Sequence, residues 1–272
     1  MKPIIVPTDF SAVSLNAVNY AADMASMLGI NLNLLHVYAI PLSVGEVPVP
    51  VVVARDIEAA ATLTIEDLRD KLITRTGGRI GIRTEVRPGS VLPEIISYCA
   101  QIKPHAVVMG AESTTALERA FFAGKTVEAL KRMEYPLIVV PPDVSFKNIR
   151  KIGFACDFRE VVESVRVKEI KDIVEEFKAE LHVLHVTGES FRSETVEESG
   201  WLQEMLGSLK PNFHFLSGPE IEKELCDFAE KNKLDLLIII PKKHSLVSRV
   251  FQHSHSKRLV LHTHLPVMAI HE

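Results

Sequence analysis

Residues 106–142 read AVVMGAESTTALERAFFAGKTVEALKRMEYPLIVVPP. A short apolar run, AVVM, comes first, followed by a loop of small residues, a helical pattern and a second apolar run, LIVV. Short apolar runs bounded by loops are typical of strands that are buried on both faces of a sheet. The stretch therefore predicts a strand–loop–helix–strand unit of a parallel sheet. In such sheets this loop is where a phosphate meets a helix N-terminus.

The end of the chain repeats this unit. Residues 103–140 align with residues 233–270 without a gap, and Pro136 corresponds to Pro266. The second loop differs in chemistry, because Lys and His replace the small residues of the first one.

Two segments near the start of the chain also recur. IIVPTDF at 4–10 corresponds to IGFACDF at 152–158, and LNLLHV at 32–37 corresponds to LHVLHV at 181–186. A repeat of this length is too long for a solenoid, and it indicates a duplicated domain. We expect one domain at residues 1–142 and a second at residues 147–272, joined by a short linker.

Each half alternates strand and helix patterns, which predicts an α/β fold with a parallel sheet flanked by helices. Apolar residues recur at a helical period from Val13 to Leu28, with Ser11 as the expected N-cap and Gly29 beyond the C-terminus. The stretch at 41–53 is rich in Pro and Val and is expected to be a loop before the next helix.

The composition excludes several classes of protein. The net charge is −4 over 272 residues, so no basic surface is expected for nucleic acid or an anionic membrane. No apolar run reaches the length of a membrane span, and the N-terminus lacks the apolar core of a signal peptide. Three widely spaced cysteines are expected to be reduced, and the protein is expected in the cytoplasm.

These segments resemble the universal stress protein family. The first half carries PTDFS, LLHV, MG and YPLIVVP, and the second carries ACDF, LHVLHV and LPVMAIHE. The resemblance covers nearly the whole chain, as a tandem member with two domains. It implies a five-stranded parallel sheet of order 3-2-1-4-5 in each half. Family members commonly pair through the last strand, so the two halves are expected to pair within one chain as a pseudo-dimer. Further pairing into a homodimer stays open.

The resemblance also implies a nucleotide. In the order 3-2-1-4-5 the ligand crevice lies between strands one and four. ATP-binding members carry G-x2-G-x9-G-[S/T] in the following loop. Here Gly110, Ser113, Ala123 and Gly124 occupy those four positions. We expect ATP or another adenine nucleotide at the following residues: Pro7, Thr8, Asp9, Val37, Gly110, Ser113, Ala123, Gly124, Lys125 and Thr126.

Simpler roles remain open for some of these residues. Asp9 is also a preferred residue type for capping the first helix, and Gly110 also suits a turn after a strand. The second half departs further from the family pattern, with no Gly after Gly218. The residues that suggest a degenerate anion site there are Asp157, Lys242, Lys243, His244 and Ser254.

Neither a metal site nor a catalytic centre is predicted. The C-terminal histidines lack the spacing of zinc ligands, and His36 and His185 lie in strand patterns, where hydrogen-bonded core residues are expected. No paired carboxylate or Ser-His-Asp arrangement is evident. We therefore expect a regulatory stress-response protein that binds a nucleotide, rather than an enzyme. The alternatives are a ligand-free scaffold for unidentified protein partners and a slow ATPase.

Overall fold

The protein is described here from a computed structural model. The structure describes residues 2–39, 51–111, 123–156, 167–187, 202–218, 220–241 and 264–271. No helix within these ranges is both long enough and apolar enough to cross a membrane.

The first half alternates strands and helices along the chain. Its elements are β1 (Ile4–Pro7), α1 (Ala12–Leu28), β2 (Leu32–Tyr38), α2 (Val51–Thr76), β3 (Ile82–Pro88), α3 (Val91–Ile102), β4 (Ala106–Gly110), α4 (Ala123–Arg132) and β5 (Leu137–Val140).

The second half repeats this alternation. Its described elements are β6 (Lys151–Ala155), α5 (Val167–Phe177), β7 (Glu180–Thr187), a 3₁₀ turn (Gly207–Leu209), β8 (Asn212–Ser217), α6 (Ile221–Asn232), β9 (Leu236–Ile239) and β10 (Val267–Ala269).

The ten strands within the described ranges form one sheet, in the order β3-β2-β1-β4-β5-β10-β9-β6-β7-β8. Each half therefore has the predicted order 3-2-1-4-5, and neighbouring strands within a half are parallel. The predicted α/β fold with a repeated doubly wound sheet is confirmed. Neither domain boundary is tested by these observations, and both stay predictions.

The halves meet where β5 pairs with β10, which is the antiparallel pairing in this sheet. Two contacts flank this β5–β10 junction, which we call the seam. His271 donates from Nε2 to the carbonyl of Leu130 at 2.7 Å, and His105 Nε2 lies 3.0 Å from a carboxylate oxygen of Glu176. The sheet thus continues from one half into the other, and the expected pairing within one chain is observed.

The linker between the halves is held against the first helix. Asn16 on α1 donates through Nδ2 to the carbonyls of Pro141 and Val144, at 3.0 and 3.1 Å. Phe146 packs edge-on against Tyr20, with ring centroids 5.2 Å apart. The linker is therefore part of the packed structure.

Local signals in the sequence set both ends of α1. The Ser11 hydroxyl accepts from Ser14 N–H at the start of α1, and Gly29 ends that helix with a φ of 68°. The predicted loop at 41–53 is wrong in its last three residues, because α2 begins at Val51. The remainder of that predicted loop, residues 41–50, lies outside the described residues.

Candidate functional site

The switch point of the first half lies beside β1. Ile4 pairs with Leu32 of β2 on one side and with Ala106 of β4 on the other, all in parallel. The connections that leave β1 and β4 run to opposite sides of the sheet, and this opens a crevice at the carboxyl ends of the two strands. The structure therefore brings the loop after β1 to the end of β4, as the sequence predicts.

Internal hydrogen bonds hold the loop after β1. Thr8 is buried, and its N–H donates to the carbonyl of Leu35 at 2.8 Å. Its Oγ1 accepts from Phe10 N–H at 3.0 Å and lies 3.0 Å from Ser14 Oγ. Ser14 Oγ also lies 3.1 Å from the carbonyl oxygen of Ser11. The Thr8 side chain is thus engaged within the loop.

Asp9 presents an exposed carboxylate above the first turn of α1. Its Oδ1 accepts from Ser11 N–H at 3.0 Å, whereas the helix N-cap is Ser11 itself. The alternative in which Asp9 caps the helix is therefore wrong, because Asp9 instead fixes the residue that does the capping. Partial desolvation acts to raise the pKa of Asp9, but hydrogen bonds from the Ser11 and Ser14 side chains and the Ser11 backbone outweigh it. The pKa is lowered, and the carboxylate is ionised at neutral pH.

Gly110 is the last residue of β4 and packs against the start of α1. A Cβ added there would lie 2.6 Å from Val13 Cγ1 and 2.8 Å from the Val13 carbonyl oxygen. Such distances are too short for any real side chain, so this approach requires glycine. Gly110 pairs with Val140 within the sheet, so it is a strand residue rather than the turn offered as its simpler role.

The start of α4 is tied to the same strand end. Thr126 is buried, and its Oγ1 donates to the carbonyl of Gly110 at 3.3 Å. Ala123, Gly124 and Lys125 form the first turn of α4. Ser113 lies outside the described residues. The helix that the sequence predicts for phosphate binding thus begins beside the crevice.

The remaining predicted residues are placed in part. Pro7 ends β1, and Val37 lies near the end of β2, paired with Arg87. The predicted second site lies outside the described residues in full: Asp157, Lys242, Lys243, His244 and Ser254. The nucleotide-binding roles of both sets stay predictions.

The first crevice combines a group that accepts hydrogen bonds with groups that can bind an anion. An ionised carboxylate at Asp9 can accept hydrogen bonds from ribose or base, and the N-terminus of α4 offers main-chain N–H groups to phosphate. Gly110 adds no side chain at the strand end. No three His, Cys, Asp or Glu residues form a metal-binding group within the part of the chain that the structure describes.

Two histidines have partners that the sequence did not reveal. His36 Nδ1 donates to the Thr8 carbonyl at 2.8 Å, and His185 Nδ1 donates to the Cys156 carbonyl at 3.1 Å. Both histidines are hydrogen-bonded as expected; His185 is a buried core residue, whereas His36 is only half-buried. The signal in the sequence for this shared role is the repeat itself, since LLHV at 34–37 corresponds to VLHV at 183–186.

The continuous sheet, its internal repeat and the crevice at the switch point define a tandem α/β protein of two doubly wound halves. A model described as the universal stress protein family matches residues 1–141 and 212–271. The chain belongs to the universal stress protein family, and it carries two segments of that family.

Similar proteins agree with this assignment. Over 147 residues the chain is 29% identical to a universal stress protein of Methanocaldococcus jannaschii, an alignment that covers 51% of this chain and 81% of that protein. The crystal structure of a universal stress protein from Archaeoglobus fulgidus matches with a TM-score of 0.71 and 18% identity, covering 99% of this chain and 96% of that one. A protein of unknown function from Pseudomonas aeruginosa matches with a TM-score of 0.66 and 15% identity, covering 100% and 92%. Both structures support the fold.

Proposed function

We propose that this protein binds one adenine nucleotide per chain, in the crevice between β1 and β4 of the first half, and acts as a regulatory protein of the stress response. One observation carries the proposal. β1, which leads into the Asp9 loop, pairs with β4, which ends at Gly110, and Thr126 of α4 is bonded to Gly110. Membership of the family supports it, because ATP-binding members place their glycine-rich motif at the corresponding positions.

In this proposal Asp9 binds the nucleoside and α4 binds the phosphates. The carboxylate is ionised across the physiological range, since its pKa is lowered, and it is therefore a hydrogen-bond acceptor only. Phosphate binding relies on the main-chain N–H groups of the first turn of α4, with Lys125 as a charge partner. No residue of the crevice is assigned to catalysis, and we propose binding without turnover in a cytoplasmic protein.

Calorimetry with ATP, ADP and AMP tests the proposal. We expect saturable binding with a stoichiometry near one. Asp9→Asn is expected to weaken binding by about 10-fold or more, the range for a hydrogen bond to a charged group. Asp227→Asn, which makes the same charge change at an exposed position on α6, serves as the matched control and should bind like the wild type.

Three outcomes would count against parts of the proposal. The absence of heat with all three nucleotides would overturn it and favour the ligand-free scaffold. Loss of binding in Asp157→Asn would place the nucleotide in the second half. Phosphate release from ATP that scales with protein concentration would favour the slow ATPase.

A further inference from the structure

The loop after β1 begins at the residue that follows the last β1–β2 pair. The last pair of β1 with β2 is Pro7 with Leu35, and Thr8 N–H then donates to the Leu35 carbonyl. The Thr8 carbonyl receives a hydrogen bond from the ring of His36. A carbonyl can only accept, so the hydrogen of the neutral His36 ring lies on Nδ1. The next residue in the chain is Asp9.

The same ring also supports a backbone conformation that is uncommon for its residue. Phe10 has a φ of 63°, in the left-handed region that a bulky residue rarely adopts. Its ring packs on that of His36, with centroids 4.6 Å apart and planes inclined by 32°. Asp9 therefore lies between two residues, Thr8 and Phe10, that both contact the His36 side chain.

The second half contains the same hydrogen bond. Cys156 N–H donates to the Leu184 carbonyl, as Thr8 does to Leu35, and His185 Nδ1 lies 3.1 Å from the Cys156 carbonyl. The residue bonded through its carbonyl has changed from Thr to Cys between the halves, but the histidine contact is unchanged. The contact thus depends on the path of the main chain and not on the side chain at that position.

We propose that His36 is a positioning residue for the nucleotide site, because its hydrogen bond to the Thr8 carbonyl and its contact with Phe10 hold Asp9 at the crevice. This inference rests on the proposed nucleotide function. His36 acts through Thr8 and Phe10, and binding of the nucleotide itself is left to Asp9 and α4.

Two substitutions at His36 separate the contribution of the hydrogen-bond donor from that of the aromatic ring. His36→Phe keeps an aromatic ring beside Phe10 and removes the donor, whereas His36→Asn keeps a donor near the position of Nδ1 and removes the ring. His185→Phe removes the equivalent bond in the second half and is the matched control. The dissociation constant for ATP is measured for the wild type and all three variants, with thermal unfolding recorded in parallel.

We expect His36→Phe to raise the dissociation constant for ATP by about 3- to 10-fold, the effect of one lost hydrogen bond. His36→Asn should bind ATP more tightly than His36→Phe, since the hydrogen bond is restored, but less tightly than the wild type, because the ring contact with Phe10 is lost. His185→Phe should lower the unfolding temperature about as much as His36→Phe while leaving ATP affinity unchanged, because it lies in the other half.

The inference fails if His36→Phe binds like the wild type, if His36→Asn is as weak as His36→Phe, or if His185→Phe weakens ATP binding equally. Failure of the proposed function has a different result, which is that the wild type itself binds no ATP. Nitrogen NMR of histidine-labelled protein gives a readout without nucleotide. Resonances of His36 that show the hydrogen on Nε2 would overturn the geometry on which the inference depends.

Discussion

Ile138 of β5 lies directly opposite Met268 of β10, and the two residues occupy the same position of the internal repeat, 130 residues apart. A pseudo-twofold axis therefore passes between them, at the centre of the ten-stranded sheet. Both side chains are almost fully buried. The duplication seen in the sequence is thus expressed as a local symmetry at the seam.

Met268→Ala tests the contribution of the seam to stability. Removing a buried methionine side chain leaves a cavity, and we expect a loss of about 2–5 kcal/mol in the free energy of unfolding. Met27→Ala is the control, because Met27 is 41% exposed and should cost less than about 0.5 kcal/mol. Urea unfolding followed by circular dichroism measures both. Equal effects of the two substitutions would contradict the burial seen at the seam.

Gly110→Ala tests the close approach of β4 to α1. The added methyl group would collide with Val13, so we expect a destabilisation of about 1–3 kcal/mol by overpacking. Val13→Ala in the same chain should recover only part of this loss, since it removes Cγ1 but leaves the Val13 carbonyl 2.8 Å from the new methyl group. Gly207→Ala is the control, because an added Cβ there meets nothing within 4 Å. Full recovery in the double variant would show that the side chain alone sets the distance.

Asn16→Ala tests the attachment of the linker to α1. The substitution leaves the carbonyls of Pro141 and Val144 without their side-chain donor. We expect a loss of about 1–3 kcal/mol in stability and faster proteolytic cleavage near residues 141–148. Asn148→Ala, at an exposed position of the same linker, should leave the cleavage rate unchanged. Equal cleavage of both variants would argue against the anchoring role of Asn16.

The pair formed by His182 and His214 predicts a loss of stability at acid pH. His182 Nδ1 lies 3.0 Å from His214 Nε2. Desolvation lowers the pKa of both residues below 6.5. The nearby His182 lowers the pKa of His214 further, and Lys151 lowers the pKa of His182 further. Glu180 opposes the shift at both residues. The unfolded chain therefore takes up protons before the folded chain does. Stability is fully present above about pH 6.5 and falls as the pH drops towards the folded pKa values, by at most about 1.4 kcal/mol per pH unit for each proton.

His214→Gln provides the comparison for this prediction. Glutamine keeps a hydrogen-bonding nitrogen near the position of Nε2 but does not titrate between pH 5 and pH 8. We expect a flatter dependence of the urea midpoint on pH in this range than for the wild type. An unchanged slope would mean that other groups account for the acid sensitivity.

The parts of the fold that depend on local chemistry could be predicted from sequence. Ser11 and Gly29 bound α1 as expected, because capping involves only neighbouring residues. Apolar runs located β4 and β5 for a similar reason. The sequence predicts the start of α2 three residues too late, because the prolines before Val51 favour a loop.

Contacts between distant segments could not be predicted in the same way. The requirement for glycine at Gly110 comes from Val13, nearly a hundred residues earlier in the chain. The partner of His36 is a main-chain carbonyl, which any residue type provides. A sequence pattern reflects side chains only. A hydrogen bond from a side chain to the main chain therefore constrains the residue type of just one of its two partners.

The pairing of β5 with β10 has a consequence for concentration. Two separate chains that pair through such strands dissociate on dilution, whereas two strands of one chain meet at an effective concentration set by the linker that joins them. The association therefore does not depend on how much protein the cell makes, and it always unites the same two unlike halves. Substitutions in the crevice of one half do not change which half it pairs with. One half can therefore lose a ligand while every molecule still contains the same pair of halves.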